Sequence, residues 1–372
     1  MHKIILFLVI LLLNSCITQF IPETEEDKEL LVVEGLITDQ PEVYTVKLSK
    51  SLPLGLKNVA RPVKGCIVKI SDDLGQVYTL KESVAGTYVT DPSTFQGKIG
   101  REYTLHISTI TGNKLSYESL PMVMNPVPKI DSVYYEKKII KEKDEFGPAL
   151  EGCQVYLNTH DPENSCKFYR WEFSETWEFR LPYDVPNRIC WLSANSDKIN
   201  IKNTSVFEED RVTGYPLNFI SNQTDRLKVR YSMLVNQYSL NEDEYTYWEK
   251  LQNISQQVGG LYDMIPSAIS SNINCIEDPT DKVLGYFSVS AAASKRIFIK
   301  DFFSGVIDLY TLCASDTIIG TGPIPGLNQT VWVIVNNLAS TPPNRIVTDS
   351  KGCADCTVRG TNIEPVFWKE AK

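Results

Sequence analysis

The sharpest chemical motif in the sequence is a pair of cysteines separated by two residues, Cys353-Ala354-Asp355-Cys356. Such a pair can be a redox centre, half of a zinc site, or two partners in structural disulfides. Redox pairs usually open a helix whose dipole lowers the thiol pKa, and no helix is expected in this stretch. Zinc would need two more thiolates or imidazoles, which here would have to be cysteines. We therefore favour structural disulfides, with Cys190 as a candidate partner.

The amino terminus has the pattern of a lipoprotein signal. Lys3 provides the positive charge, Ile4 to Leu13 form an unbroken apolar run, and Leu13-Asn14-Ser15-Cys16 has the order of a lipobox. The run is shorter than the roughly 20 residues that a membrane-spanning helix requires. We therefore expect residues 1–15 to be removed and the chain to be held on a membrane by lipid on Cys16. The alternative is an ordinary signal peptide with a chance cysteine.

The chain contains nine cysteines, so eight remain once Cys16 carries lipid. An even number in an exported protein favours disulfides. The candidates for disulfide bonding are Cys190, Cys275, Cys313, Cys353 and Cys356. Because eight cysteines permit 105 pairings, the sequence alone assigns none of them, and buried free thiols are the alternative.

Few other residues have the types that catalysis requires. His106 and His160 are the only histidines after the signal segment, the first on the polar face of a predicted strand and the second in a predicted turn. The sequence has no Gly-x-Ser-x-Gly elbow, no His-Glu-x-x-His pair and no phosphate-binding loop. We predict no catalytic residue, no metal site and no cofactor. Paired carboxylates need no motif, so a surface hydrolase stays open as an alternative.

The charge balance is acidic, with 37 Lys and Arg against 46 Asp and Glu. Since no basic run follows the signal segment, neither nucleic acid nor an anionic bilayer is expected as the main partner. Residues 16–30 are polar and rich in carboxylates, which predicts a solvated tether between the lipid and the folded body. The alternative interpretation of this acidic stretch is a sorting signal for the cell surface.

Alternating hydrophobicity predicts a first domain of β-strands over residues 31–125. Tyr103-Thr104-Leu105-His106-Ile107 is one example of a half-buried strand. Turn sequences separate such strands, so we expect an Ig-like or prealbumin-like sandwich of about seven of them. Pro126 and Pro128 favour an extended connection, which places the domain boundary after residue 125.

Residues 126–372 are predicted to form a larger β-rich domain with one packed α-helix. The helix is expected near residues 240–258, because Ser239 and Glu242 have the spacing of a capping box and apolar residues recur at helical spacing up to Gly259-Gly260. Upstream, aromatic residues alternate with polar ones from Tyr169 to Leu181. This strand could line a carbohydrate or peptide groove, but core packing is the favoured interpretation.

Several segments together resemble the domain-of-unknown-function family 4249 of Bacteroidota lipoproteins. They are LVVEGLITD from Leu31, YTLHI from Tyr103, RICW from Arg188, SLNEDEYTYWEKL from Ser239, VLGYFSVSAAASKRIFI from Val283, and CADC followed by PVFW near the carboxy terminus. The order and spacing of these segments carry the resemblance, which covers nearly the whole chain. A disulfide role for Cys190, Cys353 and Cys356 fits the family pattern.

The resemblance implies an outer-membrane lipoprotein, exposed at the cell surface, that acts beside a TonB-dependent receptor. It implies no activity for any particular residue. We therefore expect a non-enzymatic binding or accessory protein that captures or gates a small-molecule, glycan or peptide ligand. The alternatives are a surface hydrolase that uses carboxylates and a structural or adhesive surface lipoprotein.

Overall fold

The structure, a computed structural model, describes residues 29–51, 61–110, 114–140, 150–256, 269–310, 313–320 and 331–369. The signal segment, Cys16 and nearly all of the predicted tether lie outside these ranges. Within them the chain is mainly β, with five sheets and one helix of more than four residues. The predicted fold class is thereby confirmed. None of the described helices is long and apolar enough to cross a membrane.

Ten short strands follow one another in the first part of the chain. They are β1 (Leu31–Ile37), β2 (Thr45–Lys50), β3 (Arg61–Pro62), β4 (Ile67–Asp72), β5 (Val77–Thr79), β6 (Lys81–Val84), β7 (Thr87–Val89), β8 (Glu102–Ser108), β9 (Ser116–Ser119) and β10 (Met122–Val123). In β8 every second side chain is buried, as the alternating sequence predicts.

The next part of the chain builds two further sheets and the helix. Its strands are β11 (Ile130–Ile140), β12 (Leu150–His160), β13 (Phe168–Arg180), β14 (Ile189–Asn195), β15 (Asn200–Asn203), β16 (Arg211–Ser221) and β17 (Arg230–Leu240), a 3-10 turn covers Asp225–Leu227, and helix α1 covers Glu242–Gln256. One sheet has the order β11-β12-β16, and in the other β13 pairs with β14, β15 and β17. The two sheets bury Tyr169, Trp171 and Tyr231 in one core. The aromatic side chains of β13 therefore pack in the core.

The chain then returns to the first sandwich. β18 (Ile273–Cys275) and β19 (Val283–Val289) join its sheets before β20 (Ala292–Ile299) pairs with β17. The completed sheets have the orders β19-β1-β2-β7-β6, with β3 beside β2, and β18-β9-β8-β4-β5, with β10 beside β8. Ile273 and Phe287 are buried there with Val33 and Leu105. The boundary predicted after residue 125 therefore does not separate two contiguous domains, because β1 takes a parallel partner that only a distant segment can supply.

The carboxy-terminal part adds a small sheet and two one-turn helices. Strands β21 (Asp316–Ile319), β22 (Trp332–Asn337) and β23 (Asn344–Thr348) pair in the order β21-β23-β22, a 3-10 turn covers Cys356–Val358, and α2 (Lys351–Ala354) and α3 (Val366–Lys369) complete the segment. Trp368 is buried, and its indole nitrogen donates a hydrogen bond to Glu178 at 3.3 Å. Its ring and that of Phe298 enclose the guanidinium of Arg230. The end of the chain thus covers part of the polar face of the β13–β17–β20 sheet.

Two disulfides fasten this carboxy-terminal segment. Cys356 is bonded to Cys190 on β14, and Cys353 to Cys313. The two cysteines of the Cys-x-x-Cys motif therefore have different partners, and no group of potential metal ligands occurs among the residues that the structure describes. Cys275 was wrongly included among the disulfide candidates. It is a buried free thiol, because β18 carries it into the core of the first sandwich, away from the carboxy-terminal cysteines.

Gly285 in β19 allows the parallel pairing that joins the returning strand to β1. Its φ is 86°, and an added Cβ would overlap the backbone carbonyl of Val33. Gly75, with a φ of 78°, has open space at the same position. We predict that Gly285→Ala lowers the free energy of unfolding by about 3 kcal/mol or more, since strain and overlap add. Gly75→Ala should lower it by about 1 kcal/mol through strain alone.

Urea unfolding of the two glycine variants measures this difference. Equal losses for Gly285→Ala and Gly75→Ala would show that the pairing of β1 with β19 does not depend on close backbone approach.

Candidate functional site

A cavity of about 600 Å³ lies where the first sandwich meets α1 and β13. Its walls are β1, β2 and β19 on one side and the helix with two charged residues of β13 on the other. Much of the lining is aliphatic, and includes Val32, Leu36, Leu284 and Leu251. Small-molecule sites in proteins are usually cavities of roughly 300–1,000 Å³ with mostly apolar walls and a few polar groups. We refer to this space as the junction cavity.

The alternation of the sandwich strands explains why apolar and charged side chains reach the junction cavity together. Val33 and Ile37 of β1 point into the sandwich core, so Val32, Glu34 and Leu36 point to the opposite face. An open sheet would expose that face to water. Here α1 faces it across the junction cavity, and Tyr247 of the helix packs against the ring of Tyr286.

Helix α1 begins two residues later than the capping-box pattern predicts. The side chain of Asn241 accepts a hydrogen bond from the backbone N–H of Glu244 at 2.8 Å, which makes Asn241 the N-cap. Ser239 still belongs to β17 and exchanges hydrogen bonds with the hydroxyl of Ser290. Glu244, three residues after the N-cap, is buried in the protein interior.

Arg170 is the buried charge of the site. It is only 7% exposed. Its guanidinium lies 3.9 Å from the ring centre of Trp248 and 5.5 Å from that of Tyr238. It also forms an ion pair with Glu172, which accepts a hydrogen bond from the Tyr238 hydroxyl at 3.3 Å. Two aromatic faces and a carboxylate thus replace the water that a guanidinium would otherwise require.

Glu244 is a second buried ionisable group, directly behind the cavity wall. Its side chain is fully buried, and burial raises the pKa of this carboxyl above its usual value. Ser288, Arg170 and the indole N–H of Trp248 act in the opposite direction without cancelling the effect. The protonated form is therefore favoured here more than it would be in water.

An aromatic wall runs from the helix to the sandwich. The rings of Trp248 and Tyr247 are 5.3 Å apart and nearly perpendicular, and the rings of Tyr247 and Tyr286 are 4.7 Å apart. Burial raises the pKa of both tyrosines, so their hydroxyls stay neutral and able to donate. This wall offers flat apolar faces and hydrogen-bond donors to a ligand.

The residues singled out from the sequence lie elsewhere. Cys16 is outside the described residues, and the disulfides are in the carboxy-terminal segment. His106 contacts Glu118 and Ser71 on the outside of the first sandwich, and His160 contacts Asp131 beside a smaller cavity. None of them reaches the junction cavity.

Sequence reasoning missed the residues that do form the cavity. The one local signal was Arg170, a positive charge in the middle of the most aromatic strand, with Glu172 two residues later on the same face. Trp248 was recognised only as part of an apolar helical stripe. Glu34 and Lys47 had the pattern of an ordinary solvent face.

Comparison with known proteins places the chain in a family. Residues 17–296 match the family model described as a domain of unknown function, DUF4249. The chain belongs to this family. The expected resemblance is thereby confirmed over residues 17–296, and the match does not include the CADC and PVFW segments. No protein of curated function matches the chain. The matched region of this DUF4249 protein contains the whole described lining of the junction cavity, and it ends before β21 and the Cys313–Cys353 disulfide.

The buried carboxyl of Glu244 makes stability depend on pH. Because its folded-state pKa is raised, its contribution is complete below the unfolded pKa and is lost as pH rises through the folded pKa. Glu244→Gln removes this loss and keeps an acceptor for Trp248. We predict that the melting temperature of Glu244→Gln, relative to wild type, rises between pH 4 and pH 7.5.

Exposed Glu249 on the same helix provides the matched control. Glu249→Gln should show no such trend in calorimetric melting across this pH range. If the Glu244→Gln difference were flat or fell with pH, the carboxyl would not be buried as described.

Proposed function

We propose that this protein is a cell-envelope lipoprotein that binds a small ligand without converting it, as a partner of an outer-membrane TonB-dependent transporter. The main support for a binding function is the junction cavity. It has the volume of a small-molecule site, aliphatic and aromatic walls, and four charged side chains in its lining. No histidine or cysteine is among the described residues that line it.

A hydrolase is the second candidate, because two carboxylates line the same cavity. A glycosidase needs one carboxyl as acid and another as nucleophile or base. Glu172 forms an ion pair with Arg170 and accepts a hydrogen bond from the hydroxyl of Tyr238. Of the two carboxylates in the described lining, Glu34 is therefore the one without such contacts. This arrangement favours binding over hydrolysis.

The location and the partner rest on the sequence. The lipobox at Cys16 supports lipid anchoring, and the acidic residues 16–30 support a tether that holds the body away from the membrane. The family resemblance supports an outer-membrane, surface-exposed protein that works beside a transporter. A binding protein in that position would raise the local concentration of ligand at the transporter mouth.

A bulky side chain in the junction cavity tests the binding function. Thr45 lies in the lining on β2, whereas Thr104 lies on the outer face of the other sheet. We predict that wild-type protein purified from its native membrane carries a small molecule that mass spectrometry detects after extraction. The amount of this molecule bound to Thr45→Trp should be lower by about tenfold or more, because the indole occupies the ligand volume. The amount bound to Thr104→Trp should match wild type.

Equal ligand content in Thr45→Trp and wild type would exclude the junction cavity as the site. Conversion of the extracted molecule by the purified protein would instead support the hydrolase.

Affinity purification tests the partnership. A tag after Lys372 allows the protein to be recovered from detergent-solubilised outer membranes. We predict that a β-barrel receptor is recovered with it in stoichiometric amount. Recovery of the protein alone would contradict the partnership and favour an independent adhesive protein or hydrolase.

A further inference from the structure

Two opposite charges on neighbouring strands face the open side of the junction cavity. Glu34 on β1 and Lys47 on β2 are direct cross-strand neighbours, and both are exposed. Neither side chain makes an ion pair or a hydrogen bond with any residue in the described part of the chain. Side chains in such a pair start about 5 Å apart, so the two charges can engage adjacent groups of one ligand.

The other charged pair of the cavity is already satisfied. Arg170 is covered by two aromatic rings and paired with Glu172, so its charge is committed to the protein. The charges left for a ligand are therefore one negative and one positive, side by side. A ligand with a single net charge would meet one attraction and one repulsion of similar size.

Apolar surface surrounds this pair. Val32 and Leu36 flank Glu34 on the same face of β1. Tyr247 lies in the same lining, and its pKa is raised mainly by burial and also by the nearby charge of Glu34. Tyr286 is the partner of Glu34 on the other side, in β19. A ligand held at Glu34 and Lys47 would place its remaining atoms against aliphatic and aromatic walls.

We propose that the junction cavity binds a zwitterion with an apolar side chain, with Glu34 receiving the ammonium group and Lys47 the carboxylate. A free apolar amino acid and a short apolar peptide share this chemistry, and the cavity volume admits either. This inference deepens the proposed binding function and rests on it. Most of the affinity comes from the apolar contacts, since exposed ion pairs contribute little by themselves.

The test uses four forms of one dipeptide and the purified full-length protein. Leu-Phe, its N-acetyl form, its carboxy-terminal amide and the doubly capped form are titrated by calorimetry, with free phenylalanine as the fifth probe. Glu34→Gln and Lys47→Gln each remove one charge at an exposed position. Thr45→Trp and Thr104→Trp serve as blocked and unblocked controls.

The pattern across ligands and variants identifies each contact. We expect Glu34→Gln to weaken binding of the free dipeptide and its amide roughly fivefold, the upper range for an exposed ion pair, and to leave the N-acetyl form unchanged. Lys47→Gln should weaken the free dipeptide and the N-acetyl form equally and leave the amide unchanged. Stronger binding of phenylalanine than of the dipeptide would identify a free amino acid as the ligand. Stronger binding of the dipeptide would identify a short peptide.

Two results would overturn the inference in distinguishable ways. If all forms bound alike, neither Gln variant had an effect, and Thr45→Trp abolished binding, the cavity would bind apolar ligands without recognising a zwitterion. The proposed function would then stand. If no probe bound wild type or Thr104→Trp, the ligand class would be wrong, and the content of native extracts would decide whether the cavity binds anything.

Discussion

Arg170 is a permanent charge in a place that water scarcely reaches, and the arrangement of the cavity depends on how the protein accommodates it. An arginine cannot lose its proton to escape burial, so every compensation must come from neighbouring groups. Those neighbours are Trp248 from α1, Tyr238 from β17 and Glu172 from β13 itself. Because Trp248 must lie over the guanidinium, this contact constrains the position and rotation of the helix relative to the sheet. The helix in turn forms the roof of the junction cavity.

The path of the chain puts the helix at this place. The strand before α1 belongs to the second pair of sheets, whereas β18 and β19 after it belong to the first sandwich. The helix thus lies in the connection between the two units and contacts both, through Phe168 with Tyr245 on one side and Tyr286 with Tyr247 on the other. A space at such a junction is lined by residues from distant parts of the sequence. Ligand sites occur preferentially in positions of this kind.

Local patterns predicted what depends on local physics. Alternation gave the strands of the first sandwich, helical spacing gave α1 to within two residues at its start, and the aromatic residues of β13 were expected in the core, where they lie. The return of residues 273–289 could not be predicted in this way. Parallel pairing of β1 with β19 leaves no periodic signal that differs from an ordinary buried strand. The misplaced boundary, the wrong assignment of Cys275 and the unseen cavity all follow from the return of residues 273–289, which places β18 beside β9 and β19 beside β1.

Our central proposal is that the junction cavity holds a ligand, and a crystal structure of the protein purified from its native cells tests it most directly. We expect ordered density that is not protein, in contact with Tyr247 and reaching Glu34 and Lys47, with α1 in its present position above it. A cavity filled by the protein's own side chains, or by solvent alone while a ligand occupies another site, would contradict it.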